Sequence, residues 1–298
     1  MQRRQFNSAL AGALTTALPM ACAVMPTQAA QKNLEQAPDP RWAAIEAESG
    51  GRLGIAVLDT GTGRFDGHRL DERFPMCSTF KWLAAALALQ RVDAGLERLD
   101  RRVAVRREML ISHSPVAEKH VGDHGMSIAE LCEAAVLVSD NAAANLLLAS
   151  FGGPAAITRY ARTLGDTKTR LDRTEPALNE ALPGDPRDTT TPRSMAIALQ
   201  SALLGTALSE ASRARLVAWM EAVRTGTDRL RAGLPPDWRA ADKTGTGARG
   251  STNDVAVVWP PNRAPLVITA YLTDSRADAK RLNAALAAVA REAAARAV

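Results

Sequence analysis

Aromatic residues are scarce in this 298-residue chain, with Phe, Trp and Tyr together making up 4%. A nucleic-acid surface needs a basic stripe interleaved with stacking side chains. Neither is present, because the basic residues alternate with acids, as in Asp71-Glu72-Arg73. No nucleic-acid partner is expected. Histidine is limited to His68, His113, His120 and His124. Only the last two stand at a ligand spacing, and no third ligand lies near them, so neither a metal nor another cofactor is expected. The cysteines, at 22, 77 and 132, form no CxxC or zinc pattern. Cys77 and Cys132 are expected to be free, buried thiols. Repeats, heptads and low-complexity tracts are missing too, which excludes fibrous, solenoid and disordered classes.

What is there is ordinary globular composition, 46% hydrophobic and 23% charged. It suffices for one large domain or two intimate lobes. The first thirty residues stand apart. Arg3-Arg4 precede an apolar run over 9–25 that ends near Ala29-Ala30, the pattern of a secretory signal. The paired arginines followed by Phe6 also fit a twin-arginine signal, so the periplasm is the expected destination. Cys22 invites a lipoprotein reading, but Pro19 stands where such signals prefer leucine. Loss of Arg3 and Arg4 with this segment lowers the formal charge from +5 to +3. No later stretch reaches the length of an apolar membrane span, so no stable membrane insertion is expected after signal removal.

The remainder, 31–298, reads as a single α/β domain. Residues 51–59 form a branched apolar strand, and Thr60-Gly-Thr-Gly63 turns the chain back toward Phe65. Residues 254–259 and 265–271 repeat that strand pattern near the far end. Residues 279–295 carry Leu282, Leu286, Val289 and Ala293 on one helical face. The middle is helical: 81–89 is apolar all round, Ser127-Ile-Ala-Glu130 has capping-box form, and Thr191-Pro192 opens another helix. These patterns predict an antiparallel sheet built from both chain ends with flanking helices, in lobes at 40–75 and 225–298. An all-helical lobe over 76–224 is inserted between them. Residues 165–191 show no periodicity, which points to a folded functional loop anchored by Leu171, Leu178 and Leu182.

Four strings carry chemistry. Ser78-Thr79-Phe80-Lys81, opening the buried helix, sets an amine one turn from a hydroxyl whose proton it can take. Ser139-Asp140-Asn141 puts three small polar groups directly after an apolar run, where they need partners. Lys243-Thr244-Gly245-Thr246-Gly247 suits an edge strand that a substrate backbone approaches closely. Glu175 and Asn179, four residues apart in the loop, can hold a water for general-base attack. Arg173 and Asp188 are expected to tie the loop ends by a bidentate ion pair. Each string alone has a bland reading: an N-cap serine, a helix corner capped by Asp140, a surface turn, a solvated carboxylate.

In this order, however, the four strings resemble the class A serine β-lactamases, which carry S-x-x-K, S-D-N, E-x-x-L-N and K-[T/S]-G. The resemblance runs from about Trp42 to the C-terminus. It is supported by residues 113–120, by Ala142-Ala-Ala-Asn-Leu-Leu147 and by Asp188-Thr-Thr-Thr-Pro192. It implies the mixed β-lactamase/transpeptidase-like fold, a monomer, and a β-lactam antibiotic as substrate, with penicillins and cephalosporins both hydrolysed.

The roles it implies are specific. Ser78 attacks the lactam carbonyl, with the N–H groups of Ser78 and Thr246 as oxyanion hole. Lys81, or Glu175 through a water, takes the serine proton, an assignment disputed for the family. Ser139, helped by Lys243, protonates the lactam nitrogen. Lys243, Thr244 and Thr246 receive the substrate carboxylate across Gly245, and Asn141 contacts the acylamino chain. Glu175 and Asn179 drive water onto the ester. Family members anchor the carboxylate with an arginine before or after K-T-G; here Thr252 fills the later place and Arg229 the earlier one. His113 resembles the gatekeeper position, usually aromatic. Some carbapenem-hydrolysing relatives bridge the cysteine before the nucleophile to one two residues past K-T-G. Gly247 fills that place here, so the bridge cannot form. Thr246 matches the Ser/Thr of several broad-spectrum members. The rivals are a D-alanyl-D-alanine peptidase, which lacks the Glu175–Asn179 pair, a non-catalytic β-lactam-sensing domain, and a metallo-hydrolase.

Overall fold

The computed structural model describes residues 39–296. The expected signal, 1–30, lies outside them. The chain opens with helix α1 (Pro40–Ser49) and the hairpin β1 (Arg52–Asp59) and β2 (Arg64–His68), then the short β3 (Phe74–Pro75). Helix α2 (Phe80–Asp93) leads to the ribbon β4 (Arg102–Val105) and β5 (Gly122–Ser127). Three helices follow, α3 (Ile128–Leu137), α4 (Asn141–Ser150) and α5 (Ala155–Thr163). After a long loop come β6 (Thr189–Thr190), α6 (Pro192–Leu199), α7 (Glu210–Glu221) and the short α8 (Leu230–Gly233). The strands β7 (Arg239–Thr246), β8 (Thr252–Trp259) and β9 (Leu266–Thr273) precede the final helix α9 (Ala279–Ala295).

The main sheet runs β2-β1-β9-β8-β7, and every neighbouring pair is antiparallel. The first and last strands of the chain therefore lie side by side, with Val57 opposite Ile268. Alternation decides which face each residue serves. Leu53, Ile55 and Val57 join Ala256, Val258 and Ile268 under Trp42, Leu282, Leu286 and Val289 of the terminal helices. The intervening Ala56, Leu58, Val255, Val257 and Val267 face the helices of the middle of the chain. Both faces are covered, which is why these strands read as near-continuous apolar runs.

Helix α2 is the spine of the helical region, with Phe80 to Leu89 all buried. Ser127 and Glu130 make the full capping box that starts α3, and Thr191 caps α6 ahead of Pro192. Among the described residues, no helix is long and apolar enough to cross a membrane, and no group of three or more His, Cys, Asp or Glu is placed to hold a metal ion. Cys77 and Cys132 are buried and unbridged.

Three local expectations need correction. The α-helix starts at Phe80, and Ser78 sits in a 3-10 turn over Cys77–Thr79. Cys77 takes a φ of 48°, which bends the chain away from β3 before the helix can form. Leu171 and Leu178 do anchor the 165–191 loop at 1% exposure each, but Leu182 is 46% exposed, beside Pro183 and Gly184 at the loop's outer turn. Asp188 does not take a bidentate fork from Arg173. The guanidinium splits, with Nε on Asp188 (2.6 Å) and Nη1 on Glu180 (2.6 Å). The other Asp188 oxygen accepts the backbone N–H groups of Asp172 and Arg173, so it is not available to the fork.

Candidate active site

The 3-10 turn carrying Ser78 is pressed between the edge strand β7 and the 165–191 loop. Asn253, on β8, holds it from behind, its side-chain amide donating to the carbonyls of Pro75 (2.9 Å) and Met76 (3.1 Å). Gly245 is required by that proximity. A Cβ there would stand 2.8 Å from the Met76 carbonyl oxygen and 3.1 Å from a Thr79 methyl. Gly247 is equally confined, since its Cβ would lie 2.6 Å from the Cys77 sulfur. The two positions that a bridge would join are thus adjacent, but Gly247 has no side chain to form it, and a Cβ there would also stand 3.0 Å from the Asn179 carbonyl oxygen.

Around the hydroxyl the polar groups form a connected chain. Ser78 Oγ donates to Glu175 Oε1 at 2.9 Å. The same oxygen lies 3.1 Å from Lys81 Nζ, and both side chains of this ion pair are fully buried. Lys81 also donates to the Ser139 carbonyl (2.7 Å), the Asn141 side-chain oxygen (2.5 Å) and Ser139 Oγ (3.3 Å). From the other side, Lys243 Nζ donates to Ser139 Oγ at 3.1 Å. One serine hydroxyl thus joins two buried lysines brought from α2 and β7. Ser139 occupies the left-handed region at φ 59°, a conformation costing about 1–2 kcal/mol in a non-glycine residue. The kink aims both its carbonyl and its hydroxyl at Lys81.

Electrostatics follow burial. Desolvation lowers the Lys81 pKa, and the Glu175 carboxylate opposes that shift. Lys243 has no ion-pair partner at hydrogen-bonding distance among the described residues. Its burial, and then the charge on Lys81, push its pKa down to about 7. Cys77, next to Ser78, is pushed up to about 12, mainly by burial. That thiol is inert at neutral pH.

The loop delivers Glu175 through local contacts. Asn179 Nδ2 donates to Glu175 Oε2 at 2.5 Å, while Oε1 serves Ser78 and Lys81. The carboxylate is in direct hydrogen-bonding contact with the serine hydroxyl. Asn145 grips the backbone on both sides of the residue, Nδ2 donating to the Glu175 carbonyl (2.9 Å) and Oδ1 accepting the Glu175 N–H (3.0 Å). Sequence reasoning gave Asn145 no role. The available signal was a second asparagine one helical turn after Asn141 in an apolar run.

The helix-corner reading of Asp140 holds alongside the chemistry of its neighbours. Its Oδ1 accepts the Ala143 N–H (2.9 Å), capping α4, and Oδ2 accepts the N–H groups of Val116 and Ala117. Asn141 Nδ2 is committed to the Ser112 carbonyl (2.8 Å). Arg229 reaches β7, donating to Thr246 Oγ1 (2.7 Å) and to the Gly245 and Asn253 carbonyls. Thr244 shares a 2.5 Å hydroxyl contact with Thr225. His113 is exposed at the rim, one ring nitrogen 2.9 Å from the Val138 carbonyl, and its own carbonyl accepts the Asn141 N–H. Hydrogen bonds thus link Ser78, Lys81, Ser139, Asn141, Glu175, Asn179, Lys243 and the Thr244 carbonyl into one group, which His113 joins through Asn141, and they link Arg229 to Gly245 and Thr246 in a second.

Comparison with known proteins gives a consistent result. A family model described as the beta-lactamase enzyme family matches residues 38–297. The chain is 50% identical over 248 residues to beta-lactamase Toho-1 of Escherichia coli, covering 83% of this chain and 85% of that protein. It is 46% identical over 275 residues to beta-lactamase OXY-1 of Klebsiella oxytoca, covering 91% and 94%. Among solved structures, the ancestral (GNCA) class A beta-lactamase superposes with a TM-score of 0.84 at 62% identity, over 87% of this chain and 99% of that one. The class A beta-lactamase of the last common ancestor of Gram-negative bacteria (GNCA4) gives 0.85 at 61%, over 87% and 98%.

Proposed function

The chain belongs to the class A serine β-lactamase family, and from that membership we propose how its residues divide the work of opening the β-lactam ring. The observation that carries the assignment is the single Glu175 oxygen lying within 3.1 Å of both Ser78 Oγ and Lys81 Nζ. Ser78 attacks the lactam carbonyl as its proton passes to Glu175, the acceptor already in contact. Lys81 faces four oxygen acceptors, more than the three protons of an ammonium, which suits the charged form. It therefore steadies the carboxylate and the developing charge, leaving the proton transfer to Glu175. The N–H groups of Ser78 and Thr246 receive the oxyanion, and Ser139 Oγ passes a proton to the departing nitrogen. Glu175, held by Asn179 and Asn145, then takes a proton from the water that releases Ser78.

The substrate carboxylate is bound by Lys243, Thr244 and Thr246, with Arg229 behind Thr246, and Asn141 meets the acylamino chain. His113 borders the entrance. Penicillins and cephalosporins are the substrates. The protein acts as a monomer in the periplasm, free of the membrane. The Arg3-Arg4 motif and apolar run over 9–25 support export, and the twin arginines support the folded-protein route. Steady-state hydrolysis of a penicillin and an oxyimino-cephalosporin by the purified mature chain, with and without chelator, tests this reading. Turnover of both, unaffected by chelator, is expected. Failure to turn over either compound, or loss of activity with chelator, refutes it.

Lys243 also sets a pH dependence. Its ammonium is present below about pH 7 and is lost as the pH rises through that value. Carboxylate binding requires the charged form, so kcat/KM should fall about tenfold per pH unit on the alkaline side. Bound substrate favours the ammonium, so the corresponding limb of kcat should lie at higher pH. Lys243→Arg, which stays charged throughout, should remove the limb from kcat/KM. An unchanged alkaline limb in that variant would assign the titration to another group.

A further inference from the structure

Beneath the 165–191 loop lies a cavity of about 270 Å³, between the loop's outer turn and strands β3 and β9, and none of the twelve candidate site residues lines it. Its walls combine two chemistries. Leu178, Leu182 and Pro183 line one part, and Arg52, Arg73, Arg173 and Arg187 another, with Asp185 and Asp274 beside them. Leu182 explains little by itself: it is a large apolar side chain left 46% exposed in a loop whose other leucines are buried. It lines the cavity, so an apolar occupant would cover it.

The arginines differ in how well they are neutralised. Arg52 lies 3.2 Å from Glu72 and 3.7 Å from Asp274, and Arg187 pairs with Asp185 at 2.7 Å. Arg73 makes no ion pair among the described residues. Its Nη1 donates to the Lys168 carbonyl and to Thr189 Oγ1, both at 2.9 Å, which leaves most of its five N–H donors uncommitted. Burial, followed by the charges of Arg170 and Arg162, lowers its pKa, and the charges of Asp166 and Asp172 oppose that shift without pairing with it directly. A carboxylate supplies a direct partner, and guanidinium is the group best shaped to take it in two parallel bonds. A short hydrocarbon chain fits the remaining space along Leu178 and Leu182.

We infer that this cavity is a second binding site, for a small amphiphilic carboxylate whose head group meets Arg73 and whose chain covers Leu182. Such a ligand bridges β3 to the loop, and Leu178, in its wall, immediately precedes Asn179, the partner of Glu175. Occupancy thus braces the loop from behind without entering the catalytic cleft.

The probe is sodium hexanoate, followed by ligand-observed NMR on the purified mature chain, with hexanol and sodium sulfate as separated tail and head. Hexanoate is expected to bind in the millimolar range, sulfate to compete with it, and hexanol to bind more weakly. Arg73→Gln should weaken hexanoate about tenfold or more. Leu182→Ser, a change at an exposed loop position, should weaken hexanoate several-fold while leaving sulfate binding and β-lactam turnover unchanged. Lys243→Ala, which removes the cation of the catalytic cleft, should leave hexanoate affinity as it was. Amide exchange over 178–189 should slow when hexanoate is bound. The inference is overturned if hexanoate fails to bind at tens of millimolar, if its affinity follows Lys243→Ala, or if Leu182→Ser leaves its affinity unchanged. The last comparison decides even if Arg73→Gln folds poorly.

Discussion

Glu175→Gln should convert the protein from a catalyst into a trap, in which a penicillin stays attached to Ser78 as a long-lived ester. The substitution keeps the shape and much of the hydrogen bonding to Asn179, Lys81 and Ser78 while removing the charge that accepts a proton. Water attack on an ester without a general base is slower by about 10²–10⁴-fold. Loss of the carboxylate also removes the proposed acceptor of the Ser78 proton and leaves the buried Lys81 ammonium without its counter-ion, so acylation should slow as well. Deacylation should suffer more, because the β-lactam ring brings its own strain to the first step and the ester brings none to the second. Intact-protein mass measured over time after mixing with a penicillin should show a gain equal to the whole antibiotic, persisting for minutes to hours. Decay of that adduct at the wild-type rate would remove Glu175 from the deacylation step. A penicillin-binding peptidase would show the persistent adduct without any substitution, so the wild-type time course separates the two classes.

Ser78→Ala should have the larger effect on turnover, lowering kcat by about 10⁴–10⁶-fold, and should yield no mass adduct with any β-lactam. Its reach is diagnostic because the groups proposed to bind the substrate carboxylate are untouched: Lys243, Thr244 and Thr246 stand on β7, while Ser78 belongs to the turn before α2. Reversible binding of a penicillin, measured calorimetrically, should therefore survive within about tenfold. Adding Ser78→Ala to Glu175→Gln should cost nothing beyond Ser78→Ala alone, since residues serving one covalent intermediate are not additive. Preserved turnover in Ser78→Ala would place the nucleophile elsewhere, and an absence of activity in the wild-type chain would favour a sensing domain on the same fold.

Much of this site is visible in the primary structure because its parts are short. Ser78 and Lys81 are three residues apart, Ser139 and Asn141 two, Glu175 and Asn179 four, and each string has to satisfy local geometry before it can meet the others. The capping box at Ser127, the Thr191-Pro192 helix start and the apolar face of α9 are local in the same way, set by hydrogen bonds and periodicities of one to four residues. The less legible features involve longer separations. The Asn145 clasp on Glu175 spans 30 residues, the Asn253 brace on Met76 spans 177, and the division of Arg173 between Asp188 and Glu180 depends on where backbone N–H groups happen to point. Leu182 illustrates the limit from the opposite direction: its hydrophobicity suggested an anchor, but the loop turns outward at Pro183-Gly184 and leaves it half in solvent.

By itself the sequence determined which chemical groups were present, in what order, and on which kind of element each would ride, because composition and short-range pattern are properties of the chain before it folds. The tertiary structure alone decided which atoms touch: that one Glu175 oxygen serves both Ser78 and Lys81, that Ser139 joins two lysines, and that Arg73 makes no ion pair among the described residues. Contact between distant segments depends on how two covered sheet faces and a buried helix share limited space, and no local pattern encodes that distance.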